Sequence, residues 1–206
     1  MKAKLFLSVF LVSTLAIAQA PKELLQKIQN KFNSIDNFTA NYSQVYYSLQ
    51  GQGTGKTSGK FFYKRKNKFF VELKTQVIVS DGTTIWNSDK KFNRVVVSTF
   101  SDDPTSFSLE RFIFDYPPLC KIKILKNELS APGESVLELT PKDQDMAFDD
   151  AKIWVNRDGM ISKLEVTDRG DVRYLFQFTD LKLNQDLPDS KFIYYPPKGM
   201  QIIDIR

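Results

Sequence analysis

Short runs in which apolar and polar residues alternate, separated by Asn, Gly or Asp, occupy most of this chain. In one of these runs Tyr174, Phe176 and Phe178 share one face of an extended chain, while Gln177 and Thr179 share the other. A period of two is the signature of a β-strand. Short strands joined by tight turns predict an antiparallel meander, so we expect a mainly β fold with a minor helical part (α+β).

Twelve candidate segments predict a sheet of about eleven strands. They lie at 38–47, 60–64, 69–73, 76–80, 84–87, 94–98, 121–125, 136–140, 152–155, 161–167, 173–183 and 191–195. So many strands in a small domain predict a sheet that curls towards a barrel, with one strongly apolar face. The glycine-rich stretch 51–59 is predicted to be a turn or a mobile hairpin loop. Periodicity leaves open whether the apolar face is filled by its own side chains.

Two segments carry a helical pattern instead. The first, 22–34, has one apolar stripe, and the second, 104–116, is rich in apolar residues and ends at Pro117. The apolar positions are Leu24, Ile28 and Phe32 in the first segment and Leu109, Phe112 and Ile113 in the second. We expect both helices to lie on or across the curled sheet.

The N-terminus has the pattern of a secretory signal peptide. Two lysines precede an apolar run that ends at Ala16-Ile17-Ala18, and that run is shorter than the ~20 residues needed to span a bilayer. Cleavage after Ala20 would leave Pro21 at the new N-terminus, so we place the cut after Ala18. The sequence therefore predicts export of a soluble protein, with 1–18 as signal peptide and 19–206 as a single domain.

The composition excludes several classes of function. The chain has no histidine, which removes the commonest general base and the commonest metal ligand, so we expect neither an enzyme nor a cofactor or metal protein. Acid pairs such as Asp149-Asp150 are typical of solvated turns. The sequence Gly53 to Thr57 lacks the earlier glycine of a nucleotide-binding loop. Basic residues are spread among acids, so no nucleic-acid partner is expected. A single cysteine, Cys120, rules out an internal disulfide and is predicted to be buried.

Several segments across nearly the whole mature chain match one known family, in the family's order. They are 37–44, 59–69, 78–86, 139–142, 155–159 and 190–199, and the run from Ile78 to Trp86 is the most specific. On these segments the chain resembles the LolA family of periplasmic lipoprotein carriers. The resemblance implies an unclosed antiparallel β-barrel whose apolar interior is covered by a lid of helices.

The resemblance also implies roles for individual residues. Arg65 matches the family arginine that ties the lid to the barrel, and Phe69 matches an aromatic residue near the cavity mouth. The residues expected to line the cavity or its mouth are Phe61, Tyr63, Phe69, Val71, Leu73, Trp86, Tyr174, Phe176 and Phe178. The two helical stripes named above would form the lid.

The function implied by the resemblance is transport of acylated lipoproteins through the periplasm. A monomeric carrier would accept them from an inner-membrane Lol ABC transporter and deliver them to an outer-membrane acceptor, LolB or an equivalent. The alternative is a LolA-fold module that senses mislocalised lipoproteins or carries another lipid. An exported hydrolase is disfavoured by the missing histidine.

Overall fold

The computed structural model describes residues 13–48, 54–100, 108–125 and 131–206. Within these ranges twelve strands form one sheet in the order β12-β6-β5-β4-β3-β2-β1-β11-β10-β9-β8-β7. The two end strands, β12 and β7, do not pair with each other, so the sheet is unclosed as expected. The strands are β1 (Asn37–Ser48), β2 (Thr54–Lys64), β3 (Lys68–Leu73), β4 (Gln76–Asp81), β5 (Thr84–Asp89), β6 (Arg94–Thr99), β7 (Cys120–Leu125), β8 (Ser135–Pro141), β9 (Phe148–Val155), β10 (Ile161–Asp168), β11 (Val172–Leu183) and β12 (Gln201–Asp204).

The sheet consists of two antiparallel meanders joined by one pairing that is distant in sequence. Strands β1 to β6 follow one another as neighbours, as do β7 to β11, and β1 pairs antiparallel with β11, so that Tyr42 lies opposite Phe178. Directly opposite residues of an antiparallel pair point to the same face. The β1–β11 pairing therefore brings the aromatic faces of both meanders onto one concave surface.

The first helix, α1 (Ser13–Ser34), contains the predicted segment 22–34. It buries Ile28 and Phe32 in the main core, with Leu24 packed beside them. The helix begins within the predicted signal peptide. Cleavage after Ala18 would leave Pro21 in its first turn, where a missing backbone N–H costs nothing. Nowhere in the described ranges is a helix both long and apolar enough to cross a bilayer.

A second helical stretch, 108–119, is here called the lid segment. A π-helical turn, Arg111–Asp115, is followed by a 3-10 turn, Pro117–Leu119. Leu109, Phe112 and Ile113 are buried in the main core, as the apolar pattern predicted. The start of the predicted segment, 104–107, lies outside the described residues.

The prediction of a loop at 51–59 was wrong for its second half, because residues 54–59 belong to β2. Two glycines allow close approach at this strand. A Cβ at Gly55 would collide with the ring of Tyr46, and one at Gly59 would collide with the backbone carbonyl of Glu72. Glycine in a strand here marks a close contact rather than a turn. Residues 51–53 lie outside the described part.

The predicted strand at 191–195 was also wrong. Residues 184–200, here called the C-terminal strap, hold a 3-10 turn, Asp189–Phe192, and the last strand is β12, which runs parallel to β6. Prolines at 188, 196 and 197 flank the aromatic run, and each removes a backbone donor that a ladder would need. The strap crosses the convex face of the sheet, where its 3-10 turn contacts β3 and β4.

Candidate binding cavity

One end of the concave face is filled by aromatic rings. Phe38 lies 5.0 Å from Tyr63 and 5.8 Å from Phe61, measured between ring centroids, and Phe61 lies 5.2 Å from Phe178. Each such pair contributes about 0.5–1.5 kcal/mol beyond its buried area. Phe32 of α1 adds its ring 6.0 Å from Tyr63 and closes this end. Four interlocking rings and a helix leave no room for a ligand at this end.

The other end of the concave face encloses a cavity of about 340 Å³. That volume lies near the lower limit of the ~300–1,000 Å³ typical of small-molecule pockets. The side chains in its wall come from seven strands and the lid segment. They are Tyr42, Gln44, Phe69, Val71, Gln76, Ile78, Ile85, Asn87, Phe112, Tyr116, Ala147, Phe148, Val166, Asp168, Tyr174 and Phe176, with Ala147 just before β9.

The lid segment forms one wall of this cavity. The Phe112 and Tyr116 rings lie 5.5 Å and 5.2 Å from the ring of Phe148, and 5.0 Å from each other. Gln29 of α1 donates a hydrogen bond of 2.9 Å to the carbonyl of Ile113. The helix and the lid segment are therefore coupled, and displacing the lid segment would open the cavity.

Polar contacts hold the lid segment to the β2–β3 turn. The carboxylate of Glu110 accepts hydrogen bonds from the Tyr63 hydroxyl (2.5 Å) and from the backbone N–H of Asn67 (3.1 Å). Ser108 donates a further bond of 2.7 Å to the side-chain oxygen of Asn67. Burial, and then the hydrogen bond with Glu110, raises the pKa of Tyr63, so its hydroxyl stays protonated and donates. We call these four residues the lid latch.

Arg111 ties the lid segment to Phe100, the residue that follows β6, on the other side. Its guanidinium donates to the carbonyl of Phe100 (3.0 Å) and lies 4.7 Å from the centroid of that ring. A cation over an aromatic face contributes about 0.5–2 kcal/mol, depending on desolvation. The backbone N–H of Arg111 is in turn capped by the Ser108 hydroxyl at 3.3 Å.

Arg65, the latch expected from the family resemblance, makes no side-chain tie to the lid among the described residues. It is exposed, and only its backbone N–H is engaged, donating to the carbonyl of Asp36 at 3.0 Å. It borders the same surface depression as Glu110 and Asp115. The sequence analysis missed Glu110 and Ser108, although Ser108 stands at the start of a helical pattern, where a capping hydroxyl is expected.

Trp86 does not face the cavity, so its predicted place was wrong. Its neighbours Ile85 and Asn87 point into the cavity, and Trp86 lies opposite Val79 on the convex face. The tryptophan is half-buried because the convex face of β4 to β6 has its own apolar layer. Alternation placed Trp86 on one face of its strand but could not say which face was concave.

The other predicted cavity residues do lie on the concave face, in two groups. Four contribute to the cavity wall: Phe69, Val71, Tyr174 and Phe176. Four belong to the packed core behind it: Phe61, Tyr63, Leu73 and Phe178. Alternation therefore grouped these residues on one face of their strands, but it did not indicate which of them border open space.

A second, shallower groove of about 1,120 Å³ lies between the N-terminal half of α1 and the edge strand β7. Its apolar floor includes Leu25, Ile122 and Ile124, and Ile124 is 39% exposed. Lys22, Lys121, Lys123 and Lys142 surround it. Cys120 also contributes to the groove, although its side chain is buried as predicted.

Fold and cavity together define a half-open, mainly β barrel with a hydrogen-bonded lid over an apolar interior. Solved structures share the fold. An uncharacterised conserved protein from Thermus thermophilus superposes with a TM-score of 0.57 at 14% identity, over 90% of this chain and 99% of the other. A putative outer-membrane lipoprotein-sorting protein domain from Vibrio parahaemolyticus gives 0.50 at 12% identity, over 85% and 97%.

Sequence comparison defines the family. The sequence model described as "Outer membrane lipoprotein carrier protein LolA" matches residues 33–195, so the chain belongs to the LolA family. A protein from Alcanivorax borkumensis named outer-membrane lipoprotein carrier protein is 28% identical over 94% of this chain and 91% of its own. A relative of the same name from Azotobacter vinelandii is 29% identical over 92% of each chain.

Proposed function

We propose that this protein carries acylated lipoproteins through the periplasm, shielding their acyl chains in the cavity beneath the lid segment. The observation that carries the proposal is a cavity of about 340 Å³ with an apolar wall under a latched lid, in a chain of the LolA family. Curated relatives that match over most of their length are named for the same role.

The energetics favour a cavity of this kind. Each methylene of an acyl chain left in water costs about 0.8 kcal/mol, so a lipoprotein cannot cross an aqueous compartment unaided. Walls of Val71, Ile78 and Phe176 remove that cost without any chemical step. A binding role of this kind needs neither catalytic residues nor a cofactor, in line with the absence of histidine from the chain.

Loading requires the lid segment to move. A cavity near the lower limit for small ligands is too small for the several acyl chains of a mature lipoprotein. Opening would break the Glu110 contacts and separate Phe112 from Phe148. The carrier releases cargo without nucleotide. The closed, empty state must therefore compete in free energy with the loaded state. The latch supplies part of that closing free energy.

Arg65 keeps a supporting role in this proposal. Arg65 lines the same surface depression as Glu110 and Asp115, and its positive charge attracts these carboxylates across the depression. Loss of the charge in Arg65→Leu would weaken the closed state and trap cargo. Delivery by this variant at the parent's rate would contradict the role.

The partners follow from the proposed route. Cargo would arrive from an inner-membrane Lol ABC transporter and leave to LolB or an equivalent outer-membrane acceptor. The signal peptide 1–18 would place residues 19–206 in the periplasm as a soluble monomer. The alternative, a sensor or carrier of another lipid on the same fold, predicts no rescue of a strain depleted of its own carrier.

Native mass spectrometry tests the proposal. The mature protein is incubated with membranes that hold a triacylated lipoprotein, the transporter and ATP, and the soluble fraction is then analysed. The proposal predicts a one-to-one complex that Phe69→Glu weakens, because a charge in the cavity wall is costly to bury. Phe92→Glu is the matched control, since Phe92 is an exposed aromatic residue. Recovery of ligand-free protein alone would contradict the carrier role.

A further inference from the structure

The polar groups of the cavity are gathered at one end of the barrel. Gln44 lies in the second half of β1, Gln76 at the start of β4 and Asn87 near the end of β5. In an antiparallel meander these positions share one rim of the sheet, opposite the rim that Phe38 and Phe178 close. The cavity therefore has an apolar interior and an amide-bearing rim.

Two amide donors at this rim have no partner among the residues the structure describes. Gln44 uses its oxygen to accept the Tyr42 hydroxyl at 3.0 Å, which leaves its Nε2 free. Asn87 uses its oxygen to accept Gln76 Nε2 at 2.7 Å, which leaves its Nδ2 free. Burial raises the pKa of Tyr42, so the phenol remains the donor in the first pair. In both pairs the neighbouring side chain orients the amide through its oxygen. The amide nitrogen then remains available as a donor.

Free N–H donors at the rim of an apolar cavity match one kind of ligand. In a lipid with ester linkages, the carbonyl groups between the acyl chains and the polar end accept hydrogen bonds and donate none. These carbonyls lose their water when the lipid enters the cavity, so a protein donor there lowers the cost of burial. An anionic end group is disfavoured because the carboxylate of Asp168 lies in the same wall. Neutral esters can accept hydrogen bonds from the two amides and are not repelled by the negative charge of Asp168.

We propose that Gln44 and Asn87 form a subsite for the ester carbonyls of a diacylglyceryl group, so that the cavity recognises the linker of its cargo as well as its chains. This inference rests on the proposed carrier function. Gln76 is a positioning residue here, since it acts by orienting the amide of Asn87. Each hydrogen bond of this kind changes the affinity about fivefold. The subsite would therefore distinguish an ester lipid from an ether lipid of the same chain length.

The test compares ester and ether lipids of identical chain length. A synthetic diacylglyceryl-cysteine peptide and its dialkyl ether counterpart each displace a fluorescent apolar dye from the protein spanning residues 19–206. The parent should bind the diester more tightly by an order of magnitude or more, because the ether lacks both carbonyls. Asn87→Leu and Gln44→Met should each lower that preference about fivefold, because each removes one donor to an ester carbonyl.

Gln177→Met is the matched control, because Gln177 is an exposed amide on the outer face of β11. Thermal unfolding of each variant checks that it remains folded. Equal binding of ester and ether by the parent would overturn the subsite and leave the carrier role intact. Failure of both lipids to displace the dye would overturn the carrier role, and the subsite with it. An ester preference seen with free diacylglycerol but not with the peptide would overturn the assignment to lipoprotein cargo.

Discussion

The curled sheet has a cover on each face, and the two covers are held in different ways. On the concave face, the lid segment is latched by hydrogen bonds of Glu110 with Tyr63 and Asn67, and a cavity lies beneath it. On the convex face, the strap inserts Phe192, which is 0% exposed, and closes with a Tyr194–Ser88 hydrogen bond of 2.7 Å.

The difference separates a cover that can open from one that cannot. Lifting the lid segment breaks hydrogen bonds that water can replace. It also uncovers Leu109, Phe112 and Ile113, but these side chains border the cavity side of the sheet, where acyl chains of a bound lipoprotein would cover them again. Lifting the strap would expose Phe192 together with the layer of Val79 and Val95 beneath it, both fully buried. Burial of one large side chain contributes about 1.5–3 kcal/mol, so the strap is a permanent part of the fold.

The largest expected effect is on the strap. Phe192→Ala should lower the free energy of unfolding by about 3–5 kcal/mol, because it leaves a void in a filled layer. Denaturant titration measures the loss. Phe92→Ala is the control, since Phe92 is 60% exposed and its loss should stay within about 0.5 kcal/mol. If Phe192→Ala lowered the free energy of unfolding by a similarly small amount, the strap would not be held more strongly than the lid.

The lid latch should respond to loss of its acceptor. Glu110→Ala leaves the buried Tyr63 hydroxyl and the Asn67 N–H without their partner, which should cost about 1–3 kcal/mol. Hydrogen exchange of the amides in 109–115 should accelerate, while exchange in β12 stays unchanged. Glu110→Gln keeps an acceptor oxygen and should restore most of the protection. Unchanged exchange in the alanine variant would show that the latch does not hold the lid.

Two adjacent residues of β4 compare the faces directly. Val79 is fully buried on the convex face, and Ile78 forms part of the cavity wall. Val79→Ala should cost about 2 kcal/mol. Ile78→Ala removes more carbon atoms yet should cost no more, because it widens an existing cavity instead of creating one. Calorimetric unfolding gives both values, and a clearly larger loss at Ile78 would mean that the concave face is as tightly filled as the convex one.

The smallest effect concerns the charged edge of the strap. Asp189 lies 2.9 Å from Lys64 and 3.1 Å from Lys68, and hydrogen bonds from these lysines lower the pKa of its carboxyl. A lowered folded-state pKa stabilises the fold at pH values above about 4, and that contribution is lost as pH falls through the folded value. Asp189→Asn should therefore be slightly less stable than the parent near neutral pH and equal to it in acid. Asp145→Asn is the control, since Asp145 is an exposed acid without an ion pair among the described residues. A difference that persists in strong acid would contradict the ion pair.

Much of the fold could be predicted from local pattern. Alternation located eleven of the twelve described strands, because a pleated strand with one buried face imposes a period of two on its own residues. It failed at 191–195, where an aromatic run between prolines packs as a turn. It also failed at 54–59, where glycines serve a close contact between strands.

The site was less predictable for a physical reason. Trp86 was misplaced because both faces of β4 to β6 are apolar, and alternation alone does not distinguish concave from convex. The Glu110–Tyr63 contact joins residues 47 positions apart, a pairing set by the tertiary fold rather than by any local period. Arg65 was chosen by resemblance, yet the described contacts with Glu110 of the lid come from Tyr63, near the end of β2, and from the backbone amide of Asn67, in the turn that follows.

Photo-crosslinking tests the central claim most directly, that acyl chains lie in the cavity beneath the lid. A lipoprotein with a diazirine near the end of one acyl chain is loaded onto the protein, irradiated and mapped by mass spectrometry. If the acyl chain lies in the cavity, crosslinks should form to Ile78, Phe112 and Tyr174 in its wall. Crosslinks confined to Leu25 and Ile124, in the groove between α1 and β7, would place the cargo outside the barrel and contradict the claim.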